Sequence, residues 1–300
     1  MQLIQGNDFK FNKTCIAFGY FDSLHIGHRL LINRLIEQEE KGFNSVLLCM
    51  KRDQRDIPDK RHDLYTTDEK VKLLHENGPM YMVSYPSEEI IESMEPEEYI
   101  KEILVGRFDA KVIVAGNNCR FGRNGKGDIQ TLREMSDKYG YRLICCETVK
   151  YKDKPITVDW IYSEITLGDL ETANTLLGYP FTLWGSIIHG KALGRNVGMP
   201  TANLRLPENK LIPKHGVYAT LSSIAGKRIK GLTNIGRRPS VDNQTHVTIE
   251  TYLMDFTEDI YGKEVGLELH HYIRSVKKFN NLEEVKQQVK LDKMTAKDML

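Results

Sequence analysis

The sequence predicts two domains of different class: a parallel α/β domain over residues 1–183, then a small antiparallel β-barrel with a C-terminal helix over residues 184–300. Three observations carry this. Up to Leu183, short apolar runs alternate with segments of helical periodicity, which argues for a parallel sheet with helices on both faces. Past Trp184 the texture changes to β-rich runs broken by glycine at 185, 190, 216, 226, 231, 236, 262 and 266, the pattern of a barrel that closes its own edges. The length of 300 residues allows each domain a core of its own.

Thr14 to Phe18 is an apolar run ending at Gly19. Ile26, Leu30, Leu31, Leu35 and Ile36 recur beyond it at helical spacing, so a strand, a tight loop and an amphipathic helix open the chain. Val46 to Met50 reads as a second buried strand, and the mixed-sign run Lys51 to Asp63 as a solvated loop. Thr67 to Glu76 is expected to be helical with Thr67 and Asp68 as caps, and Pro96 to Leu104 opens another helix with acidic residues in its first turn. Lys111 to Ala115 is the third strand. It leads into G-N-N-C-R-F-G-R-N-G-K-G-D, Gly116 to Asp128, and then into a helix from Ile129 to Tyr139 closed by Gly140. A strand, a basic glycine-rich loop and a helix N-terminus together favour phosphate. Arg142 to Glu147 is the next strand, and Asp169 to Leu177 a helix stopped by Gly178-Tyr179-Pro180. In the second domain the strands are Val217 to Ser222, Gly231 to Asn234, Val247 to Leu253 and Val265 to Ile273. Leu282, Val285, Val289, Ala296 and Met299 mark one face of a terminal helix laid against the barrel.

A formal net charge of +1 and a pI near 7.6 create no long-range field of the kind that gathers nucleic acid or anionic lipid, so neither is expected as a partner. The first ten residues lack the charged-then-apolar pattern of a signal peptide, and a cytoplasmic protein is expected. The five cysteines show no C-x-x-C spacing and read as buried thiols, with Cys145 and Cys146 on opposite faces of their strand.

Two stretches hold the residues that can do chemistry. Gly19 to His28 reads G-Y-F-D-S-L-H-I-G-H; His25 and His28, three apart at a helix start, can both face a phosphate, and Gly27 lets backbone amides join them. A bare H-x-x-H is more often a locally satisfied structural or surface pair. Gly190 to Asn203 reads G-K-A-L-G-R-N-V-G-M-P-T-A-N; its glycines and Pro200 make a bent, bare backbone suited to a phosphate chain, although such stretches are also plain turns. Thr201 and Asn203 lie two apart in an extended segment and share a face.

The order of residues in both stretches is specific. G-R-x-x-G-x-P-T-A-N resembles the ATP and magnesium motif of riboflavin kinases, and the resemblance runs on through H-G-V-Y at His215, T-N-I-G-R-R-P at Thr233, Glu250 with Tyr252, Asp255 and Phe256, Tyr261-Gly262, Arg274 and Lys278-Phe279. G-x-F-D-x-x-H-x-G-H resembles the nucleotidyltransferase signature of FAD synthetases. The chain therefore resembles the bacterial bifunctional riboflavin kinase and FAD synthetase (FMN adenylyltransferase) family. The resemblance implies a Rossmann-like nucleotidyltransferase domain followed by a Greek-key riboflavin kinase barrel. It implies that ATP converts riboflavin to FMN at the barrel, and that a second ATP converts FMN to FAD and pyrophosphate at the first domain. By the same resemblance, Thr201 and Asn203 hold Mg2+ with ATP, Gly194 and Gly198 shape the phosphate loop, Glu250 is the base and Arg274 contacts the flavin. In the first domain His25 and His28 become the catalytic pair, acting as imidazolium donors to the phosphates, while Gly19, Phe21, Asp22, Gly27, Arg120 and Gly122 bind ATP.

The chain departs from the family pattern at several positions. Ser23 stands where the family carries Gly, Lys51-Arg52-Asp53-Gln54 where it has Asp-Pro-His-Pro, and Asn118 where its D-F-R-F-G loop begins with Asp. Thr157 to Tyr162 aligns with its S-S-T-x-I-R phosphate clamp, so that Tyr162 replaces an arginine; Val276 replaces a Glu that often follows Arg274. Loss of one preorganised cation lowers a rate by about 10²- to 10³-fold. Slow adenylyl transfer is expected, with a non-catalytic nucleotide- or flavin-binding regulatory domain as the alternative.

Overall fold

In the computed structural model, residues 1–6, 9–50, 62–85, 93–189, 201–224, 226–239 and 245–300 are described. The apolar run at the start forms strand β2, Thr14–Gly19, which pairs in parallel with β3, Asn44–Met50, on one side and with β5, Ala110–Gly116, on the other. The sheet is completed by β1 (Gln2–Gln5), β4 (Tyr81–Tyr85) and β6 (Arg142–Cys146), in the order β1-β4-β3-β2-β5-β6. Side chains alternate between two buried clusters. Cys15, Ala17, Leu47 and Val114 belong to one, and Ile16, Leu48 and Ile113 to the other. Burial on both faces explains why these strands read as continuous apolar runs. The strand order reverses direction at β2, and in such sheets ligands bind at the carboxyl ends of strands flanking that point.

Helix α1, Ile26–Ile36, follows β2, and α2, Thr67–Leu74, follows the segment after β3. Thr66, one residue before the expected Thr67, caps α2 through a reciprocal box with Glu69, because the hydroxyl must precede the first helical turn to reach its free N–H groups. Pro96 opens α3, Pro96–Glu98, whose continuation Tyr99–Arg107 has widened turns. Helix α4, Ile129–Tyr139, ends at Gly140 in the left-handed conformation, φ 68°. A small hairpin of β7 (Lys150–Tyr151) and β8 (Lys154–Pro155) follows β6.

The chain divides into compact units Met1–Val158 and Asp159–Leu300, whereas the sequence boundary at Leu183 falls inside strand β9, Phe181–Ile188. The second unit begins with α5, Val158–Leu167, and α6, Leu170–Leu177. Its β-strands β9, β10 (Thr201–Arg205), β11 (Gly216–Ile224), β12 (Lys227–Pro239), β13 (Thr245–Leu253) and β14 (Glu264–Arg274) close a barrel in the order β10-β13-β12-β11-β14-β9. The C-terminal helix α7, Leu282–Met299, packs Val289 and Ala296 against Val217, Ala219 and Leu232 of the barrel. Leu282 and Met299, expected on its inner face, are 51% and 44% exposed; Asp292 takes a place in the buried stripe instead. Of the five thiols Cys15, Cys49 and Cys146 are buried, while Cys119 is half-buried and Cys145 exposed, because its strand turns only one face inward there. Among the described residues no helix is long and apolar enough to cross a membrane.

Candidate active sites

Beyond β2 the chain makes a tight loop in which Phe21 and Leu24 adopt left-handed backbone conformations, φ 48° and 46°. Each costs about 1–2 kcal/mol for a residue with a side chain. Both are buried, Phe21 to 2% exposure and Leu24 completely, and burial of such a side chain contributes about 1.5–3 kcal/mol, enough to hold the loop. The Phe21 ring packs next to the position a Gly19 side chain would take, and it meets the His28 ring edge-on at 5.0 Å.

His25 is the N-cap of α1: its Nδ1 accepts the His28 backbone N–H at 3.2 Å, so its proton sits on Nε2. The two imidazoles stack at 3.8 Å between centroids and 12° between planes. Burial pulls the His25 pKa down to about 4, and burial, followed by His25 and Lys70, pulls that of His28 well below its ordinary value. Both shifts favour the neutral rings. Desolvation of the stacked pair thus opposes the charge that the expected imidazolium role requires. A side chain at Gly27 would stand 2.9 Å from His25 Cε1, so glycine there makes room for the His25 ring.

Asp22 pairs with Lys70 of α2 at 3.8 Å, and the Lys70 Nζ donates to the Tyr20 carbonyl at 3.2 Å. Lys70 is 8% exposed and binds the loop from below. Sequence reasoning missed it, for a lysine inside a helical pattern carries no local mark of burial. Ser23, at the position of the family glycine, is fully buried.

The loop after β5 leaves the same end of the sheet as the histidine loop, because β2 and β5 are parallel neighbours. Phe121 anchors it, buried against Phe18 and Tyr99 and paired through its backbone with Gly127. A side chain at Gly127 would stand 2.7 Å from the Phe121 ring, and Gly122 is left-handed at φ 67°. Arg120 pairs with Asp128 at 3.2 Å, and Arg123 and Lys126 both approach Glu95, at 3.4 and 3.7 Å. Asp128 also caps α4, taking the Thr131 N–H at 2.9 Å. A carboxylate thus takes one of the free N–H groups at the helix N-terminus expected to favour phosphate. Tyr162 is half-buried on α5, in the second compact unit, and Lys51 to Gln54 lie outside the described residues.

In the barrel, register assembles what spacing could not. Asn203 on β10 stands opposite Glu250 on β13, which in turn stands opposite Asn234 on β12. Thr201 stands opposite Tyr252, two residues along the same faces. Thr201, Asn234, Glu250, Tyr252 and Arg274 line one cavity of about 270 Å3, which α7 walls with Val285, Val289 and Asp292. Thr201 also lines a second cavity of about 250 Å3, with Ile187, Phe256, Ile260 and Tyr261. His189 stacks on Tyr261 at 3.8 Å. Asn234 belongs to the T-N-I-G string but had no assigned role; its place opposite Glu250 is visible only in the sheet. Gly194 and Gly198 lie outside the described residues. The Arg274 guanidinium is held by Asp292, with Nε donating to Oδ1 and Oδ2 at 2.9 and 3.0 Å and a terminal nitrogen donating to Oδ2 at 2.6 Å.

The family model for FAD synthetase matches residues 7–159, and that for riboflavin kinase matches residues 177–300. The chain belongs to the bifunctional riboflavin kinase/FMN adenylyltransferase family. The bifunctional riboflavin kinase/FMN adenylyltransferase of Bacillus subtilis (strain 168) is 32% identical over 292 residues, covering 95% of this chain and 92% of its own length. That of Escherichia coli (strain K12) is 29% identical over 294 residues, with 94% and 91% covered. The crystal structure of the macrolide-efflux protein from Streptococcus pneumoniae shares the fold over 98% of each chain, with a TM-score of 0.88 at 24% identity. Both halves of this family use ATP. A riboflavin kinase/FMN adenylyltransferase thus carries its two sets of candidate residues on two units, one at the end of a parallel sheet and one across barrel strands.

Proposed function

We propose that the protein makes flavin cofactors in two ATP-dependent steps, riboflavin to FMN in a kinase domain over 184–300 and FMN to FAD in an adenylyltransferase domain over 1–183. The observation that carries the first step is the row Asn203, Glu250 and Asn234 beside Thr201, which lines two cavities. Glu250 accepts the proton of the ribityl 5′-hydroxyl as that oxygen attacks the γ-phosphorus of ATP; the bond to the β–γ bridging oxygen breaks and ADP leaves. The hydroxyl of Thr201 and the amide oxygen of Asn203 are hard donors that would suit Mg2+, which when bound would neutralise charge building on the phosphates of ATP. Thr201 faces both cavities, so nucleotide in one and flavin in the other would meet at its side chain.

In the second step a phosphate oxygen of FMN attacks the α-phosphorus of ATP, the bond to the α–β bridging oxygen breaks and pyrophosphate leaves. His25 and His28 donate N–H groups to the phosphates, Asp22 and Gly19 shape the loop around Phe21, and Arg120 and Gly122 approach from the neighbouring strand end. With Tyr162 in place of the clamp arginine, this step is the slower one. A cytoplasmic location, where ATP is available, completes the reading. Chromatography of the flavins formed from riboflavin, ATP and magnesium tests it, with FMN expected first and FAD following at a lower rate. A second reading, a regulatory first domain that binds nucleotide without turnover, is favoured by Tyr162; FMN without FAD, while ATP still binds at the His25–His28 loop, would establish it.

A further inference from the structure

Arg274, with 16% of its side chain exposed, and the buried Asp292 form an ion pair on the wall of the cavity that holds Glu250 and Thr201. Asp292 is 3% exposed, and Gln288 one turn earlier on α7 donates to its Oδ1 at 2.9 Å. The rest of that helix face is Val285, Val289 and Ala296, so an apolar residue at 292 would complete the stripe. Burying two charges is expensive, and an apolar pair of similar volume is often as stable or more so. Docking of the helix therefore does not account for the pair.

Its geometry suggests a use. A guanidinium carries five N–H donors. Asp292 takes one from Nε and one from a terminal nitrogen, and the Ser275 carbonyl accepts one from the other terminal nitrogen at 3.0 Å. Two donors remain without a partner among the described residues, and their directions are fixed by the bidentate carboxylate. The charge is fixed as well, because Asp292 cancels that of Arg274. An unpaired arginine on a cavity wall would accept a phosphate as readily as anything else, whereas a neutralised one favours an uncharged ring that bears carbonyl oxygens. We infer that Asp292 is a positioning residue for the flavin: acting through Arg274, it selects the neutral isoalloxazine ring at this end of the cavity. The inference rests on the proposed flavin contact of Arg274, which assigns to riboflavin the cavity that this residue lines.

The test is a riboflavin titration of the full-length protein with magnesium and ADP present, read by quenching of flavin fluorescence. The variants are D292N, R274A and the two together. D292N is expected to weaken riboflavin binding about tenfold, the loss of one well-placed charge-assisted hydrogen bond. In the R274A background it should cost nothing more. In turnover, D292N should raise KM for riboflavin and leave KM for ATP unchanged. D292E keeps the charge and moves the carboxylate by one methylene, so it retains the fold even if D292N does not, and it should also weaken riboflavin. Unchanged riboflavin affinity in D292N or D292E overturns the inference, and so does an equal loss from D292N with and without Arg274, which would mean a merely structural helix contact. R274A binding riboflavin as the wild type does, or a wild type that quenches no fluorescence, would instead overturn the assignment of the cavity.

Discussion

Glu250 and Gly27 show how single residues act through their neighbours. Glu250 lies between Asn203 and Asn234 in the sheet, so its carboxylate shares a face with the groups proposed to hold the nucleotide. Glu250→Gln keeps size and polarity but cannot accept a proton. FMN formation should fall by about 10²- to 10⁴-fold while ATP binding is nearly unchanged, as measured by initial rates and by ATP titration. A glutamine variant with wild-type turnover would remove Glu250 from the mechanism. Gly27→Ala places a methyl 2.9 Å from the His25 ring, closer than carbon atoms approach without displacement. The ring must leave its stack with His28. FAD formation is then expected to fall more than about tenfold, since misplacing a catalytic group by an ångström is costly, with FMN formation unaffected in the same assay.

At the scale of elements, the start of α1 ties the protonation of the proposed catalytic pair to stability. His25 has a folded pKa of about 4 against an ordinary 6.5, and His28 is shifted in the same direction, both chiefly by burial. The folded state thus prefers the neutral rings. This contribution is fully present above about pH 6.5 and is lost as pH falls through the folded values, because the unfolded chain binds the protons more tightly. The unfolding temperature should be flat between about pH 7 and 8 and decline from about 6.5 toward 4. In His28→Ala the decline should be shallower. Glu97, Asp109 and Asp128, whose carboxyls are held below their ordinary range by hydrogen bonds, act only lower on the pH scale. A wild-type profile that stays flat down to pH 4 would show that the two rings are not neutral.

For the molecule as a whole, the two candidate sites lie on separate compact units. Losing one should leave the other. His28→Ala is expected to accumulate FMN from riboflavin with no FAD, and Glu250→Gln to convert supplied FMN to FAD at the wild-type rate. Chromatography of both products in both variants checks this; loss of FMN in His28→Ala would contradict independent sites.

Much of the architecture was written locally. Apolar runs announced β2, β3 and β5, and Asp169 and Gly178 announced the ends of α6, because periodicity and capping depend on residues within a few positions of one another. The strands β1 and β4 and helix α5 escaped, the first being short and polar at both ends, the last rich in β-branched and aromatic residues that favour no helix. Motif order pointed to the family since each chemistry needs particular residue types at fixed spacing. What the sequence could not contain is the pairing of distant residues: Lys70 with Asp22, Asn203 and Asn234 with Glu250, Arg274 with Asp292. Nor could it set the charge of His25 and His28, which depends on burial. Spacing along the chain determines which groups are available; strand register and desolvation, both products of tertiary packing, decide which of them meet and in what protonation state.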